Sequence, residues 1–199
     1  MISLSVGGQN AASDVVLWEI ELQCQIAKLS VERLRNFSER QLPAALWKRI
    51  PIKGPQNLVE LLADCSAFLT AASIISKMLY KGDRRKPTVA KRTQRLREIL
   101  EISDLPTLQK LSVRNSFEHI DERLDDQLTQ NPSGGFVQYH TTRYPPPKGL
   151  VLKRFNPETL SISYLQDTLD IGACSSEIAE VELGVPKARK AIQQGQSLT

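Results

Sequence analysis

The segment from Gln56 to Tyr80 constrains the fold most, because its apolar residues recur at helical spacing over about seven turns. The residues of this stripe are Leu58, Leu61, Leu62, Cys65, Leu69, Ala72, Ile75 and Leu79. Charged residues interrupt the segment at Glu60, Asp64 and Lys77. The uncharged stretch that remains is too short to cross a bilayer. We therefore predict a helix buried in a protein core and no membrane span.

Three other segments have apolar residues at helical spacing. The first runs from Asp14 to about Arg40, and another spans about Thr88 to Leu100. The last begins at the cap Asp104-Leu105-Pro106 and continues to Leu128. Together with the buried helix, these segments predict a four-helix bundle over residues 1–132.

The character of the chain changes after the turn residues 131–135. Three short segments are β-branched or aromatic and are separated by turn residues: Phe136–Thr142, Leu150–Phe155 and Thr159–Leu165. They predict a small antiparallel sheet or extended arms. We also predict a weak helix over Ser175–Leu183 and a polar tail over 186–199. The predicted fold class is thus mainly α, a four-helix bundle followed by a small C-terminal β-containing extension over 133–199.

Composition limits the classes of protein to consider. With 199 residues, of which 41% are hydrophobic, the chain can bury a substantial core. Cys24, Cys65 and Cys174 are far apart and form no paired motif, so neither a zinc site nor a disulfide framework is expected. No apolar or basic leader is visible before Ser13, which favours a cytoplasmic protein. The net charge of +4 permits a nucleic-acid partner.

The segment from Leu108 to Leu128 carries the most informative polar residues. Its apolar residues fall within a stripe roughly 80° wide on a helix, whereas Asn115 and His119 lie on the opposite face. Histidine titrates near neutral pH and can move a proton to or from a ribose hydroxyl. Arginine, here Arg114, matches a phosphate and the charge it gains in a transition state. These residue types suit cleavage of a phosphodiester without a metal ion.

Arg114-Asn115, three further residues and His119 resemble the signature of the HEPN superfamily, in which the motif lies at the start of the last long helix of a small bundle. The resemblance covers the bundle and implies a metal-independent endoribonuclease that needs no cofactor. It further implies a homodimer with a cleft built by both protomers. Family members are often toxins or defence effectors, so an antitoxin or another regulatory protein is a further expected partner. The resemblance assigns proton transfer to His119, phosphate stabilisation to Arg114 and orientation to Asn115.

A basic segment precedes this motif. Between Lys81 and Arg97 a single acid, Asp83, stands among eight basic residues. We predict that part of this segment binds RNA phosphates, through Arg84, Arg85, Lys86, Lys91 and Arg92. A solvated, well-charged helix is the alternative interpretation.

A second hypothesis comes from another class of function. Several acids follow His119, namely Asp121, Glu122, Asp125 and Asp126, and would repel RNA unless they are paired. His119 could then be a solvated surface histidine and Arg114 a partner of Glu118. In that case the chain would be a non-catalytic helical dimer that binds a protein or a nucleic acid.

Overall fold

The structure, a computed structural model, describes residues 11–39, 56–80, 87–110, 120–130, 136–141 and 150–194. Its helices are α1 (Ala11–Glu39), α2 (Gln56–Tyr80), α3 (Pro87–Leu100), α4 (Pro106–Gln109), α5 (Ile120–Gln130) and α6 (Ile171–Gln193). Its strands are β1 (Phe136–Thr141), β2 (Leu150–Asn156), β3 (Ser161–Tyr164) and β4 (Asp167–Asp170). The chain is therefore mainly helical with a small β-sheet, as the sequence predicts.

Four helices enclose one hydrophobic core. α1 packs along α2 and α6, and α3 packs on the same two helices from the other side. Among the described residues, α1 and α3 make no extensive contact with each other. Since α2 and α6 touch each other only lightly, the four helices form a ring in which α1 and α3 lie diagonally opposite each other.

Helix α2 forms the middle of this core. Phe68, Leu69, Ile75 and Leu79 are almost completely inaccessible to solvent. By length and composition, α2 is the one described helix that could cross a membrane. Half of its most apolar stretch, however, is buried inside the protein. The prediction of a buried core helix over 56–80 is confirmed.

The fourth long helix of the bundle is α6, which the sequence predicts only as a weak helix over 175–183. Ile178, Val181, Val185, Ala188 and Ile192 are all buried on its inner face. The expected polar tail from residue 186 is therefore wrong over the described part, where the helix continues to Gln193. The core includes residues on both sides of the predicted boundary at residue 132.

Helix α4 is shorter than the sequence predicts. The sequence predicts one continuous helix from the cap at 104–106 to Leu128. In the structure α4 ends at Gln109, where the backbone of Lys110 leaves helical geometry and donates to the carbonyl of Pro106. A helix resumes at Ile120 as α5. The intervening residues 111–119 lie outside the described part of the chain.

The small sheet has the strand order β1-β2-β3-β4. Pairs β2-β3 and β3-β4 are antiparallel, but β1 and β2 are parallel, so the prediction of an antiparallel sheet is wrong for that first pair. Phe155, Ile162, Tyr164 and Leu169 of the sheet join the bundle core. The ring of Phe155 lies edge-on to that of Phe37 at the end of α1, with 6.2 Å between centroids.

Candidate functional site

The predicted catalytic residues Arg114, Asn115 and His119 lie in the segment 111–119, outside the described residues. Three of the predicted RNA-binding residues, Arg84, Arg85 and Lys86, lie outside them too. The structure does describe what surrounds these segments in the chain. It places helix α3 and residues 101–110 before the motif, and helix α5 after it.

Residues 101–110, the anchored segment, are tied to α6 by carboxylates. The Glu177 carboxylate accepts hydrogen bonds from the backbone amides of Thr107 and Leu108, at 2.9 and 2.8 Å. The Glu180 carboxylate accepts from the amide and the hydroxyl of Ser103, at 3.1 and 2.7 Å. These two side chains lie one turn apart on α6, so a single helix face holds the whole segment.

Helix α2 holds the same segment from the other direction. The hydroxyl of Ser76 donates to the carbonyl of Leu108 at 2.6 Å. The hydroxyl of Tyr80 accepts from the amide of Leu105 at 3.2 Å. Leu105 and Leu108 are themselves buried in the core. The last turn before the motif is therefore fixed by both polar contacts and burial.

Glu177, about seventy residues later in the chain, caps the N-terminus of α4, because the residues next to that terminus offer no capping side chain. Pro106 lies in the first turn and lacks an amide hydrogen, and Leu105 before it offers no capping side chain. The amides of Thr107 and Leu108 would therefore remain without an acceptor inside the helix. A carboxylate at a helix N-terminus supplies that acceptor and interacts favourably with the helix dipole.

Gly184 allows α6 to approach α3 at close range. A Cβ atom at this position would stand closer to the carbonyl oxygen of Leu100 than real Cβ atoms come to such an atom. Glu101, directly after Leu100, has a φ of 53° and turns the chain into the anchored segment. Its carboxylate also pairs with Lys187 of α6 at 2.7 Å. The close approach at Gly184 and the ion pair of Lys187 thus hold the start of the anchored segment against α6.

Helix α3 carries four basic residues on two different sides. On one side, Lys91 is exposed and Arg92 is half-buried, with Arg95 between them, roughly 40° from Lys91 and 60° from Arg92 when read at about 100° per residue. Arg95 pairs with Glu98 at 3.0 Å. On the other side, the guanidinium of Arg97 lies 5.3 Å from the centre of the Tyr80 ring. Lys91 and Arg92 are thus the described residues of the predicted RNA-binding set, and they share one side of α3.

Helix α5 presents acids to solvent. Glu122, Asp125 and Asp126 are exposed, as is Leu128. Among the described residues, α5 makes no extensive contact with the other helices or with the sheet. These three acids, which follow the motif in the chain, are therefore on the surface of the molecule.

The thiols of the chain lie inside the bundle. Burial raises the pKa of the Cys24 and Cys65 thiols to about 12, and it raises the pKa of Cys174 as well. Such thiols stay protonated at neutral pH and are poor nucleophiles. Within the described ranges, no cluster of three or more His, Cys, Asp or Glu side chains could hold a metal ion.

A shallow groove of about 230 Å³ runs along the contact between α1 and α6. Its walls carry both signs of charge, from Lys28, Glu32 and Arg35 of α1 and from Glu182 of α6. Because the groove is lined by both positive and negative groups and by the thiol of Cys24, its lining does not indicate one class of ligand. The groove lies on the side of the bundle away from the anchored segment.

Comparisons of the chain with protein-family models, with curated proteins and with solved structures found no match. The functional argument therefore depends on the residues and their geometry. Sequence reasoning missed Glu177 and Glu180, since nothing near residue 177 in the chain indicates a partner about seventy residues earlier.

Proposed function

We propose that the protein is a metal-independent endoribonuclease of HEPN type that acts as a homodimer in the cytoplasm. In this proposal His119 moves the proton, Arg114 stabilises the charge on the phosphate, and Asn115 orients the histidine or the substrate. The 2′-hydroxyl of the ribose attacks the neighbouring phosphate, and the 5′-oxygen of the next nucleotide leaves. The products are a 2′,3′-cyclic phosphate and a 5′-hydroxyl.

The observation that carries this proposal is the shared location of the basic helix and the anchored segment. Both α3 and α4 pack on α2 and α6, on the side of the bundle away from α1. Five residues, 101–105, join α3 to α4, so Leu108, which stands six residues before Arg114 in the chain, follows closely on the C-terminal end of the helix that carries Lys91 and Arg92. An RNA held by α3 would reach the start of the motif segment without crossing the bundle.

The anchoring of residues 101–110 also supports the proposal. Catalytic groups work best when the backbone that carries them is held in place by the surrounding structure. Glu177 and Ser76 fix the amide and the carbonyl of Leu108 to two different helices. The motif segment therefore starts from a rigid point. A segment that served as a mere linker would not need such attachment.

A second candidate function is favoured by α5 and α6. The fourth long helix of the bundle is α6, which contains no histidine, whereas the family resemblance expects the motif at the start of such a helix. The exposed acids of α5 would also repel a phosphate chain. These features favour a non-catalytic helical module that binds another protein. An antitoxin or regulatory protein would be the partner under either proposal.

Cleavage of a labelled RNA in EDTA tests the first proposal. We expect the wild-type protein to cut the RNA, and we expect His119→Ala and Arg114→Ala to lose at least about a hundredfold in rate. The matched controls are His140→Ala, which removes the other histidine of the chain, and Arg154→Ala, which removes an exposed arginine of β2. Both controls should cleave as the wild type does.

The ends of the products separate the two candidates further. Mass spectrometry should find a 2′,3′-cyclic phosphate if the 2′-hydroxyl attacks. Cleavage that persists unchanged in His119→Ala would exclude this mechanism. If no RNA is cut by the purified wild-type protein, the binding module becomes the better interpretation.

A further inference from the structure

The small sheet turns one face to the bundle core and the other face away from it. Three register partners on β2, β3 and β4 are buried in the core: Phe155, Ile162 and Leu169. Successive residues of a strand point to opposite faces of a sheet. The register positions one residue away, Arg154, Ser163 and Thr168, therefore lie on the face turned away from the core, the outer face.

Arg154, Ser163 and Thr168 form a polar row across this outer face. Arg154 is the register partner of Ser163, and Ser163 is the register partner of Thr168. Arg154 and Thr168 are exposed, and Ser163 is half-buried. On β1, His140 occupies the register position beside Arg154 and continues the row. The sheet thus brings an arginine next to two hydroxyl groups that lie 9 and 14 residues away in the chain.

The guanidinium of Arg154 is available to an anion from outside the protein. In the described part of the chain, Arg154 forms no ion pair with a carboxylate. Of the two acids on β4, Asp167 is the register partner of Tyr164 and belongs to the core-facing side. The other acid, Asp170, caps α6, and its carboxylate accepts a hydrogen bond from the amide of Ala173 at 2.9 Å.

The two hydroxyl groups of the row act together. The oxygens of Ser163 and Thr168 lie 2.9 Å apart, so one hydroxyl donates to the other. A hydroxyl has a single hydrogen to donate but can accept two. When Thr168 donates to Ser163, the hydrogen of Ser163 is left for a ligand held by Arg154. The row then offers two N–H donors of a guanidinium and one O–H donor.

This set of donors matches a phosphate monoester better than other anions. The guanidinium fork holds two oxygens of a carboxylate or a phosphate. A carboxylate would then have no further oxygen for Ser163, and a phosphodiester has only two unsubstituted oxygens. A phosphomonoester has three strong acceptor oxygens and a charge close to −2 at neutral pH. A histidine beside the arginine adds a residue that is partly cationic near neutral pH.

We propose that Arg154, Ser163 and Thr168 bind the phosphate group of a small phosphomonoester on the outer face of the sheet. Arg154 holds two phosphate oxygens, Ser163 donates to the third, and Thr168 orients the hydroxyl of Ser163. The row spans two strand spacings, about 10 Å, which suits one small molecule. The site takes no part in the proposed RNA cleavage, which is assigned to residues in the segment 111–119. Either proposal can therefore fail without the other.

Nuclear magnetic resonance titrations of the full chain, near neutral pH and at constant ionic strength, test the proposal. The probes are inorganic phosphate, adenosine 5′-monophosphate and adenosine 3′,5′-cyclic monophosphate. The first two should shift the backbone amide signals of β3 and β4, with dissociation constants in the low millimolar range. The cyclic diester should bind at least about fivefold more weakly, because one acceptor oxygen is lost. Acetate at the same concentrations should leave these signals in place.

Substitutions assign the binding to the row. Arg154→Gln should weaken the binding of inorganic phosphate at least about tenfold, and Arg154→Lys about threefold, because lysine keeps the charge but loses the fork. Ser163→Ala should weaken it about threefold, since one donor is lost. The control is Lys190→Gln, which removes an exposed charge about 28 Å along α6 from the sheet and should not change the constant. The spectra themselves show whether each variant is folded.

Several results would overturn the proposal. One is that the signals of β3 and β4 stay in place up to about 20 mM phosphate. Another is an equal dissociation constant for the wild type and Arg154→Gln. Acetate that shifts the signals as phosphate does would mean that the arginine attracts any anion. A cyclic diester that binds as tightly as the monoester would contradict the assignment of three phosphate oxygens.

Discussion

Helices α1 and α3 occupy opposite sides of the same pair of helices, and their outer surfaces differ in chemistry. The outer face of α1 is apolar and is marked by Trp18 and Leu22. The outer surface of α3 is basic, with Lys91 exposed and Arg92 half-buried. A row of apolar side chains suits another protein surface, whereas a basic helix suits a polyanion. The comparison shows that the two sides of one bundle differ in the chemistry that they offer to a partner.

The two sides also differ in how α6 meets its neighbours. α6 contacts α1 through side chains, including the ion pair between Arg189 and Glu21 at 2.6 Å. It contacts α3 almost backbone to backbone, at Gly184 and Leu100. Side chains can adjust when a neighbour changes, but the carbonyl of Leu100 can move only if the backbone of α3 moves with it. We therefore expect the α3 side to be more sensitive to small changes.

The largest effect on stability is expected at this close contact. Gly184→Ala should lower the free energy of unfolding by about 1–3 kcal/mol, because the added methyl group meets the carbonyl of Leu100. Urea unfolding would measure the change. Gly172→Ala on the same helix is the control, since its methyl group would meet only the Asp170 side chain, at 3.2 Å. Equal stability of the two variants would mean that α3 can move away from α6.

The next prediction concerns the basic side. Neutralising Arg84, Arg85 and Lys86 to glutamine should lower the slope of log affinity for RNA against log salt by up to about three, if all three residues touch phosphates. Urea unfolding of the triple variant would check that the change acts on binding and not on folding. Binding isotherms at several salt concentrations would measure the slope.

A triple variant on the opposite side provides the control for this experiment. Lys28, Arg33 and Arg35 of α1 carry the same total charge, and all three are exposed. Their neutralisation should leave the salt slope of RNA binding unchanged. If both triple variants lower the slope equally, RNA would bind without preference for either side of the bundle.

A smaller effect is expected in the anchored segment. Glu177→Gln removes the charge that caps α4 and should weaken the local attachment by about 1 kcal/mol. Tryptic cleavage after the exposed Lys110 should then accelerate about fivefold under native conditions. Glu182→Gln is the matched control, because this carboxylate faces Gln25 of α1 instead. Unchanged cleavage in Glu177→Gln would show that Ser76 and Tyr80 suffice to hold the segment.

The smallest effect concerns pH. The hydroxyl and the amide of Ser103 hold the pKa of the Glu180 carboxylate below its ordinary value. A lowered pKa means that this group stabilises the fold above the pKa of the unfolded chain, and the stabilisation is lost as the pH falls through the folded value. Between about pH 5 and pH 3, the urea midpoint of the wild type should therefore fall slightly more than that of Glu180→Gln. Parallel curves would show that the contact does not contribute to stability.

Local patterns were sufficient for the early helices. The apolar spacing in 14–40, 56–80 and 88–100 predicts α1, α2 and α3 to within three residues of their ends. These helices are long, and each packs through a regular stripe, so the pattern within one segment contains the needed information. The charge of Lys91 and Arg92 is likewise a local property, and both residues are indeed on the surface or at its edge.

The structure of later elements depends on contacts that no local pattern contains. Gly184 and Pro186 act as helix breakers in the sequence, yet α6 continues through both, because the missing side chain at Gly184 permits close packing on α3. The sequence does not predict strand β4, because the turn before it carries no turn residue. Leu165 has a φ of 53° there, where glycine or asparagine is expected. The Glu177 cap depends on a partner about seventy residues away in the chain.

The place of α6 beside α1 has a consequence for the order of folding. The thiol of Cys24 lies 3.8 Å from the carbonyl of Ile178, across 154 residues of sequence. On a ribosome, α1 can pair with α2 as soon as both have emerged, but the remaining half of its inner face must wait for residues 171–193. Contacts of such wide sequence separation slow folding, because a long loop must close before they form. During that interval α1 would be open on two faces, which is when a chaperone would have the most to bind.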